Sequence, residues 1–272
     1  MDEAFTLTKK QHEQAVLCFH GLTGSPGELY RYGLDLFKAG YDVNCPVLPG
    51  HCQGVEAIKH ARWQDWHGFA LSTFDEMASR YRRIYLSGIC FGSVLALAVA
   101  AERENVTAIS ALSTTFFLDG WSLPPVRVLM PLGFVTIFKF LYSFPESGPM
   151  GVKNHAVRKQ VESAMKSQDA YALNCFPLVC VHELSKLSRF MRKRLHLVKT
   201  PVIIFHSVRD DLASLKNAEV VYRGVSSARK ELITLRNSYH LITLDNDRRE
   251  VSKKTIAFFN SLSPEAPAPG LA

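Results

Sequence analysis

Residues 83–98 read RIYLSGICFGSVLALA. Ile84, Tyr85 and Leu86 describe a short apolar strand, the turn Gly88-Ile89-Cys90-Phe91-Gly92 follows, and an apolar helix comes after it. Strand, Gly-x-nucleophile-x-Gly and helix is the layout of a nucleophile elbow. Its reactive side chain sits on a strained turn, and its glycines let strand and helix approach closely. The residue at the apex is Cys90 rather than the usual serine.

Outward from the elbow, strands and helices alternate. Toward the N-terminus, residues 14–20 (QAVLCFH) form a buried-type strand ending in Gly21-Leu22-Thr23-Gly24-Ser25-Pro26, and a helix over 28–39 is closed by Gly40. A strand over 41–48 and a helix over 63–81, with Trp66, Phe69, Leu71, Phe74 and Met77 at helical period, lead into the elbow. A strand over 106–112 follows it. Residues 113–199 are helical in composition, and alternation resumes with strands at 201–206 and 230–235 and helices at 215–221 and 248–262. The pattern predicts an α/β fold with a mostly parallel sheet and helices on both faces. Its break predicts a helical cap inserted over the carboxyl ends of the strands. The expected division is a core of residues 1–113 and 200–262, a cap of 114–199, and a Pro/Ala-rich disordered tail of 263–272.

The composition narrows the function class. With 272 residues, 47% of them hydrophobic, the chain can bury a full core. The start Met1-Asp2-Glu3 is acidic with no apolar run behind it, so no signal peptide is expected and a cytoplasmic location is the default. Residues 126–144 form the most apolar run, broken by Arg127, Pro131, Gly133 and Lys139; this reads as a buried or lipid-facing helix pair, not a transmembrane span. Six cysteines without a CxxC pair imply reduced thiols. Cys18 and Cys45 are expected in the core, and Cys175 and Cys180 in an apolar helix. No histidine or cysteine spacing suits zinc, and no cofactor motif is present. The net charge of +7 is densest at Lys186, Arg189, Arg192, Lys193, Arg194, His196 and Lys199. That run is either a solvated helix face or a docking patch for an acidic partner or anionic lipid. Nucleic-acid motifs are missing.

A thiol at an elbow needs a base and an orienting acid. Asp210 lies just past the strand at 201–206, and His240 just past the strand at 230–235. Both strand ends open on the same sheet edge as the elbow, so Cys90, Asp210 and His240 can converge in the chain order nucleophile, acid, base. His240 would take the Cys90 proton while Asp210 fixes its tautomer. Asp211 competes with Asp210, and the spacing to Asn217, Ala218 and Tyr222 favours Asp210. His20 is expected to brace its loop, His51 to hold its own Pro-Gly-His turn, and His206 stands too early to be the base. Cys90 as a plain core residue would leave the placing of Asp210 and His240 unexplained.

Five motifs occur in order: HGLTGSP (20–26), LPGHCQG (48–54), LSGICFGS (86–93), Asp210 with Asn217–Tyr222 behind it, and SYHLITLD (238–245). Together they resemble the compact carboxylesterase and monoacylglycerol-lipase branch of the α/β-hydrolase family, over about residues 14–262 and most weakly in the cap. The resemblance implies a nucleophile at Cys90, an acid at Asp210 and a base at His240. It also implies an oxyanion hole from the backbone N–H groups of Leu22 and Phe91, each such donor contributing about 3 kcal/mol to transition-state stabilisation. Ser93 departs from a glycine common at that position.

Cysteine at the apex shifts the expected substrate. Thiol attack on an oxygen ester runs uphill to a thioester, whereas attack on a thioester exchanges like for like. Aromatic residues of the cap, among them Phe116, Phe117, Trp121, Phe134 and Phe138, are expected to line an acyl-chain pocket. The leading expectation is a hydrolase of apolar acyl esters or thioesters. An acyltransferase served by an acidic acyl carrier protein, docked on the basic helix, and a silent acyl-binding protein are the alternatives.

Overall fold

In the computed structural model, residues 3–9, 13–145, 148–166, 173 and 175–262 are described. The expected tail, 263–272, lies outside them. The chain begins with a short strand that the sequence pattern did not announce, β1 (Phe5–Leu7), and continues through β2 (Gln14–Phe19), α1 (Gly27–Lys38) and β3 (Asp42–Cys45). β3 is shorter than the apolar pattern because Pro46 has no N–H for the ladder. Then come α2 (Val55–His60), α3 (Trp63–Ala78), β4 (Arg83–Ile89), α4 (Phe91–Glu102) and β5 (Val106–Leu112). A 3₁₀ turn over Pro125–Leu129 precedes α5 (Met130–Phe134), α6 (Phe138–Leu141), β6 (Ser143–Pro145), α7 (His155–Lys166), β7 (Cys175–Pro177) and α8 (Leu178–Arg192). β8 (Val202–Ser207), α9 (Lys216–Gly224), β9 (Lys230–Leu235) and α10 (Arg248–Asn260) complete the described chain.

The main sheet has the order β1-β3-β2-β4-β5-β8-β9. Only the edge strand β1 runs antiparallel, against β3; all other neighbours are parallel. β4 sits at the centre, and every residue of it after Arg83 is buried, as its continuous apolar run requires. α1 turns Leu29, Tyr32 and Leu36 toward the sheet, and Gly40 ends it at φ +102, where a side chain would be strained. α3 does the same with Trp66, Ala70, Phe74 and Met77. α4 is buried from Phe91 to Ala100, between the sheet on one side and α3 and α8 on the other.

Residues 114–199 depart from an all-helical insertion. β6 and β7 pair antiparallel, Phe144 opposite Phe176, to make a small hairpin-like ladder among the helices. Cys175 therefore stands in a strand and is half-buried, whereas Cys180 is buried in α8 as expected. α8 carries Leu184, Leu187 and Met191 into the same apolar cluster as the sheet. The apolar run at 126–144 is not buried: Val128, Val135, Ile137 and Leu141 are 74%, 83%, 71% and 72% exposed. Its helices are too short to bury a face of their own. Of the basic run, Lys186, Arg189, Arg192, Lys193, His196 and Lys199 are exposed and Arg194 lies half-buried against the Phe190 ring.

Candidate active site

β4 delivers Cys90 to the top of the sheet at φ 57, ψ −119, a region that side chains rarely occupy. Such a conformation costs on the order of 1–3 kcal/mol and persists only where its surroundings enforce it. Here the Cys90 N–H donates to Leu112 O (2.9 Å), and its carbonyl accepts from Ser93 N–H (3.2 Å). The two glycines are sterically required. A Cβ on Gly88 would fall 2.2 Å from Gly92 O, and one on Gly92 would fall 2.1 Å from Phe19 O, in both cases against backbone that cannot step aside. Ser93 fills the next position and shares a buried hydrogen bond with Thr114 (2.7 Å).

Past the end of β9, the loop carrying His240 is tied from both sides. Ser113 Oγ donates to His240 O (2.7 Å), and the His240 N–H donates to Asp211 Oδ1 (3.2 Å). The ring is thereby turned so that Nδ1–H donates to Asp210 Oδ2 at 2.8 Å, both side chains being buried. Asp210 is itself held by Leu212 and Ala213 N–H on Oδ1 (2.9 and 2.8 Å), and His206 Nε2 lies 3.4 Å from Oδ2 while bonding Ala213 O. Two adjacent carboxylates thus divide the work. Asp210 meets the imidazole, and Asp211 binds backbone, taking Gly151 N–H on its other oxygen (3.0 Å). Burial pushes the His240 imidazole down, but the Asp210 carboxylate and the neighbouring Cys90 outweigh it and hold the ring well above the ordinary histidine range. Burial pulls Asp210 up, and the facing His240 more than reverses that, leaving it below the usual carboxylate range. Asp211 has less compensation, so burial leaves it raised. His240 Nε2 is buried and makes no well-formed hydrogen bond among the described residues, which leaves it open to the Cys90 side. Such bonds often tighten only when substrate is present.

The loop after β2 forms the opposite wall. Leu48 N–H donates to His20 Nε2 (3.2 Å), so His20 Nδ1–H donates to Gly21 O (2.9 Å), the brace expected of it. His51 does more than hold its own turn: Nε2–H donates to Leu22 O at 2.7 Å and its ring meets His20 edge-on. Both rings are kept in the neutral form chiefly by burial. Glu28, which sequence reasoning passed over, reaches back from α1 to accept the Gly21 N–H (3.0 Å). An acidic residue in the first turn of a helix was the available signal, but it pointed to a cap rather than to this loop. Leu22 faces the cavity, and Phe91 is the first residue of α4.

Cys90, His240 and Leu22 open into one cavity of about 390 Å³. Its apolar wall comes from Leu123, Met130, Tyr142, Phe144, Phe176 and Leu241, with Arg127, Asp211 and Glu28 as charged members. The five aromatic residues expected there lie elsewhere. Phe116 is buried and its N–H donates to Asn217; Phe117 packs under Arg192 and Lys216. Trp121 is exposed, with Nε1–H on Arg209 O, and Phe134 stacks on His182. Phe138 borders a separate hollow of about 200 Å³. Composition counted the apolar side chains correctly but assumed helical faces, and the lining comes instead from the β6–β7 ladder and the loop before it. Among the described residues, no group of three or more His, Cys, Asp or Glu is placed to hold a metal ion, and no helix is long and apolar enough to cross a membrane.

A parallel sheet with an antiparallel edge, an elbow after its central strand, and acid and histidine loops after the two strands at its far edge define an α/β-hydrolase. Residues 10–247 match the family described as Hydrolase_4: serine aminopeptidase, S33, and the chain belongs to that family. It is 26% identical over 244 residues to the thermostable monoacylglycerol lipase of Bacillus sp. (strain H-257), covering 90% of this chain and 89% of that one. It is 22% identical over 256 residues to a carboxylesterase of Bacillus subtilis (strain 168), covering 94% and 96%. Among solved structures, the monoacylglycerol lipase of Paleococcus ferrophilus superposes with a TM-score of 0.79 at 16% identity, covering 96% of this chain and 98% of that one. A chain from the metagenome-derived lipolytic enzymes LipS and LipT does so with 0.78 at 23%, covering 96% and 98%.

Proposed function

We propose that the protein hydrolyses carboxylic esters or thioesters of apolar acyl chains through an acyl group carried on Cys90. The observation that carries this reading is the strained Cys90 apex opening into the same cavity as a His240 ring oriented by Asp210. His240 Nε2 takes the thiol proton and Sγ attacks the carbonyl carbon. The carbonyl electrons move to an oxyanion received by the Leu22 and Phe91 N–H groups. Collapse expels the alcohol or thiol, which leaves with the proton from His240, and the acyl group remains on Sγ as a thioester. Water, deprotonated by His240, then attacks that thioester and releases the carboxylic acid and the free thiol. Asp210 holds the proton-accepting nitrogen toward Cys90 and stabilises the imidazolium between the two steps.

The curated relatives, named as a monoacylglycerol lipase and a carboxylesterase, support a carboxylic ester as the substrate class. The largely apolar lining supports an acyl chain in the cavity. Cysteine as nucleophile supports thioesters as the better matched leaving groups. The test is intact-mass spectrometry after mixing with a panel of acyl thioesters and p-nitrophenyl esters. A transient acyl adduct on the wild type, absent from Cys90→Ala, with release of free acid is expected. An adduct that persists in water would move the reading to transfer onto another acceptor. No adduct and no turnover with any member of the panel would sink it.

A further inference from the structure

The cavity holds three charged side chains, and two of them are already committed. Glu28 accepts the Gly21 N–H, and Asp211 accepts backbone N–H groups from Gly151 and His240. Arg127, on the 3₁₀ turn Pro125–Leu129, differs. One of its guanidinium N–H groups donates to Leu123 O at 2.8 Å, which pins the side chain beside the cavity wall. No carboxylate among the described residues lies within ion-pair distance of it. A guanidinium has five donors in a planar fork, so at least two remain to face a ligand. Arg127 is only partly buried, so water solvates its remaining donors until a carboxylate or phosphate displaces it in a charge-assisted, two-point contact.

We infer that Arg127 selects substrates carrying an anionic group, carboxylate or phosphate oxygens, at a point remote from the carbonyl that Cys90 attacks. This rests on the reading of the cavity as the acyl site. Arg127 would then bind substrate and transition state alike, lowering KM more than it raises kcat. Lysine keeps the charge but loses the fork, so it restores the preference in part.

The test compares two pairs of probes on the wild type, Arg127→Gln and Arg127→Lys. The first pair is p-nitrophenyl hexanoate and the p-nitrophenyl half-ester of adipic acid, which places a carboxylate on the acyl chain. The second is hexanoyl-pantetheine and its 4′-phosphate, which places the anion on the thiol side. The better anionic probe is expected to exceed its neutral twin by about 10- to 100-fold in kcat/KM, mainly through KM. That ratio, taken within each protein against its own neutral probe, should fall to near unity in Arg127→Gln and recover partly in Arg127→Lys. Whichever pair shows the ratio assigns the anion to the acyl or the thiol side. Calorimetric binding of monomethyl and dimethyl adipate to the same three proteins, each also carrying Cys90→Ala so that neither ester is cleaved, reads the site without turnover. A preference for the monomethyl compound that depends on Arg127, with no turnover of any probe, would reject acyl hydrolysis while keeping the anion site. Equal affinity for the two compounds and equal turnover of each probe pair, or a preference that survives Arg127→Gln, would overturn the inference.

Discussion

Replacing Asp210 and Asp211 separately by asparagine gives the sharpest test of how the site works, because the two carboxylates are neighbours with different partners. In Asp210→Asn, the amide oxygen keeps the Leu212 and Ala213 N–H groups, and the NH₂ then takes the place of Oδ2. That NH₂ faces His240 Nδ1, which in the wild type donates at 2.8 Å. Two donors cannot face each other, so the ring must move its proton to Nε2, the nitrogen that the proposed mechanism needs to accept from Cys90. Loss of the correct tautomer in comparable triads costs about 10⁴-fold in kcat, or roughly 5 kcal/mol at 1.36 kcal/mol per decade. In Asp211→Asn the imidazole keeps its partner. One backbone N–H, of Gly151 or His240, meets an NH₂ instead of an oxygen. An unsatisfied buried donor costs about 1–3 kcal/mol, partly offset because a carboxyl group raised by burial no longer has to ionise. The expected outcome is a kcat loss of about 10³- to 10⁴-fold for Asp210→Asn, and a Tm loss of roughly 2–8 °C with kcat within tenfold for Asp211→Asn. Steady-state turnover of a p-nitrophenyl ester and thermal unfolding followed by circular dichroism read both. If Asp211→Asn lost more kcat than Asp210→Asn, the assignment of partners would be wrong.

Other outcomes follow from named contacts. Gly92→Ala places a Cβ 2.1 Å from Phe19 O, so it should lower the unfolding midpoint in urea by the equivalent of about 3 kcal/mol or more, and a wild-type midpoint would contradict the close approach. His20, His51 and His206 all have pKa values lowered mainly by burial. Their contribution is full above the unfolded value near 6.5 and is lost progressively as pH falls below it. His240 is raised, so its contribution becomes full below about 6.5 and is lost as pH rises through its folded value; it offsets only a small part of the loss from the three buried rings. Tm should therefore fall as pH is lowered from about 6.5 to about 5.5, and a flat profile would show the three rings to be free to charge. Val135→Ser, Ile137→Ser and Leu141→Ser together remove exposed apolar surface. The triple variant should keep its Tm within about 2 °C while eluting earlier from a hydrophobic-interaction column; a larger Tm loss would place these side chains in a packed core.

The elbow was legible because its sequence pattern is local. Strand, glycine pair, apex and helix lie within sixteen residues, and the steric demand for glycine at 88 comes from Gly92 just ahead of it, whereas the demand at 92 comes from the distant Phe19 backbone and is seen only in the fold. The parallel sheet was legible for a related reason: alternation of apolar strands with helices of period 3.6 leaves few ways to bury both. The lining of the cavity was not legible. Leu123, Phe144 and Phe176 become a wall only after the β6–β7 ladder forms, and that pairing joins segments some 30 residues apart. A count of aromatic residues carries no record of which face they turn.

Chain order alone brought Cys90, Asp210 and His240 to one edge of the sheet, since parallel strands put their following loops on the same side. Which of two consecutive carboxylates meets the ring, and that His51 steadies Leu22 from another loop, were settled only by the packed structure. Periodicity and turn chemistry are written residue by residue along the chain. Partnerships across 29 or 30 residues depend on angles and distances of a few tenths of an ångström, and these exist only after the loops have been packed against one another.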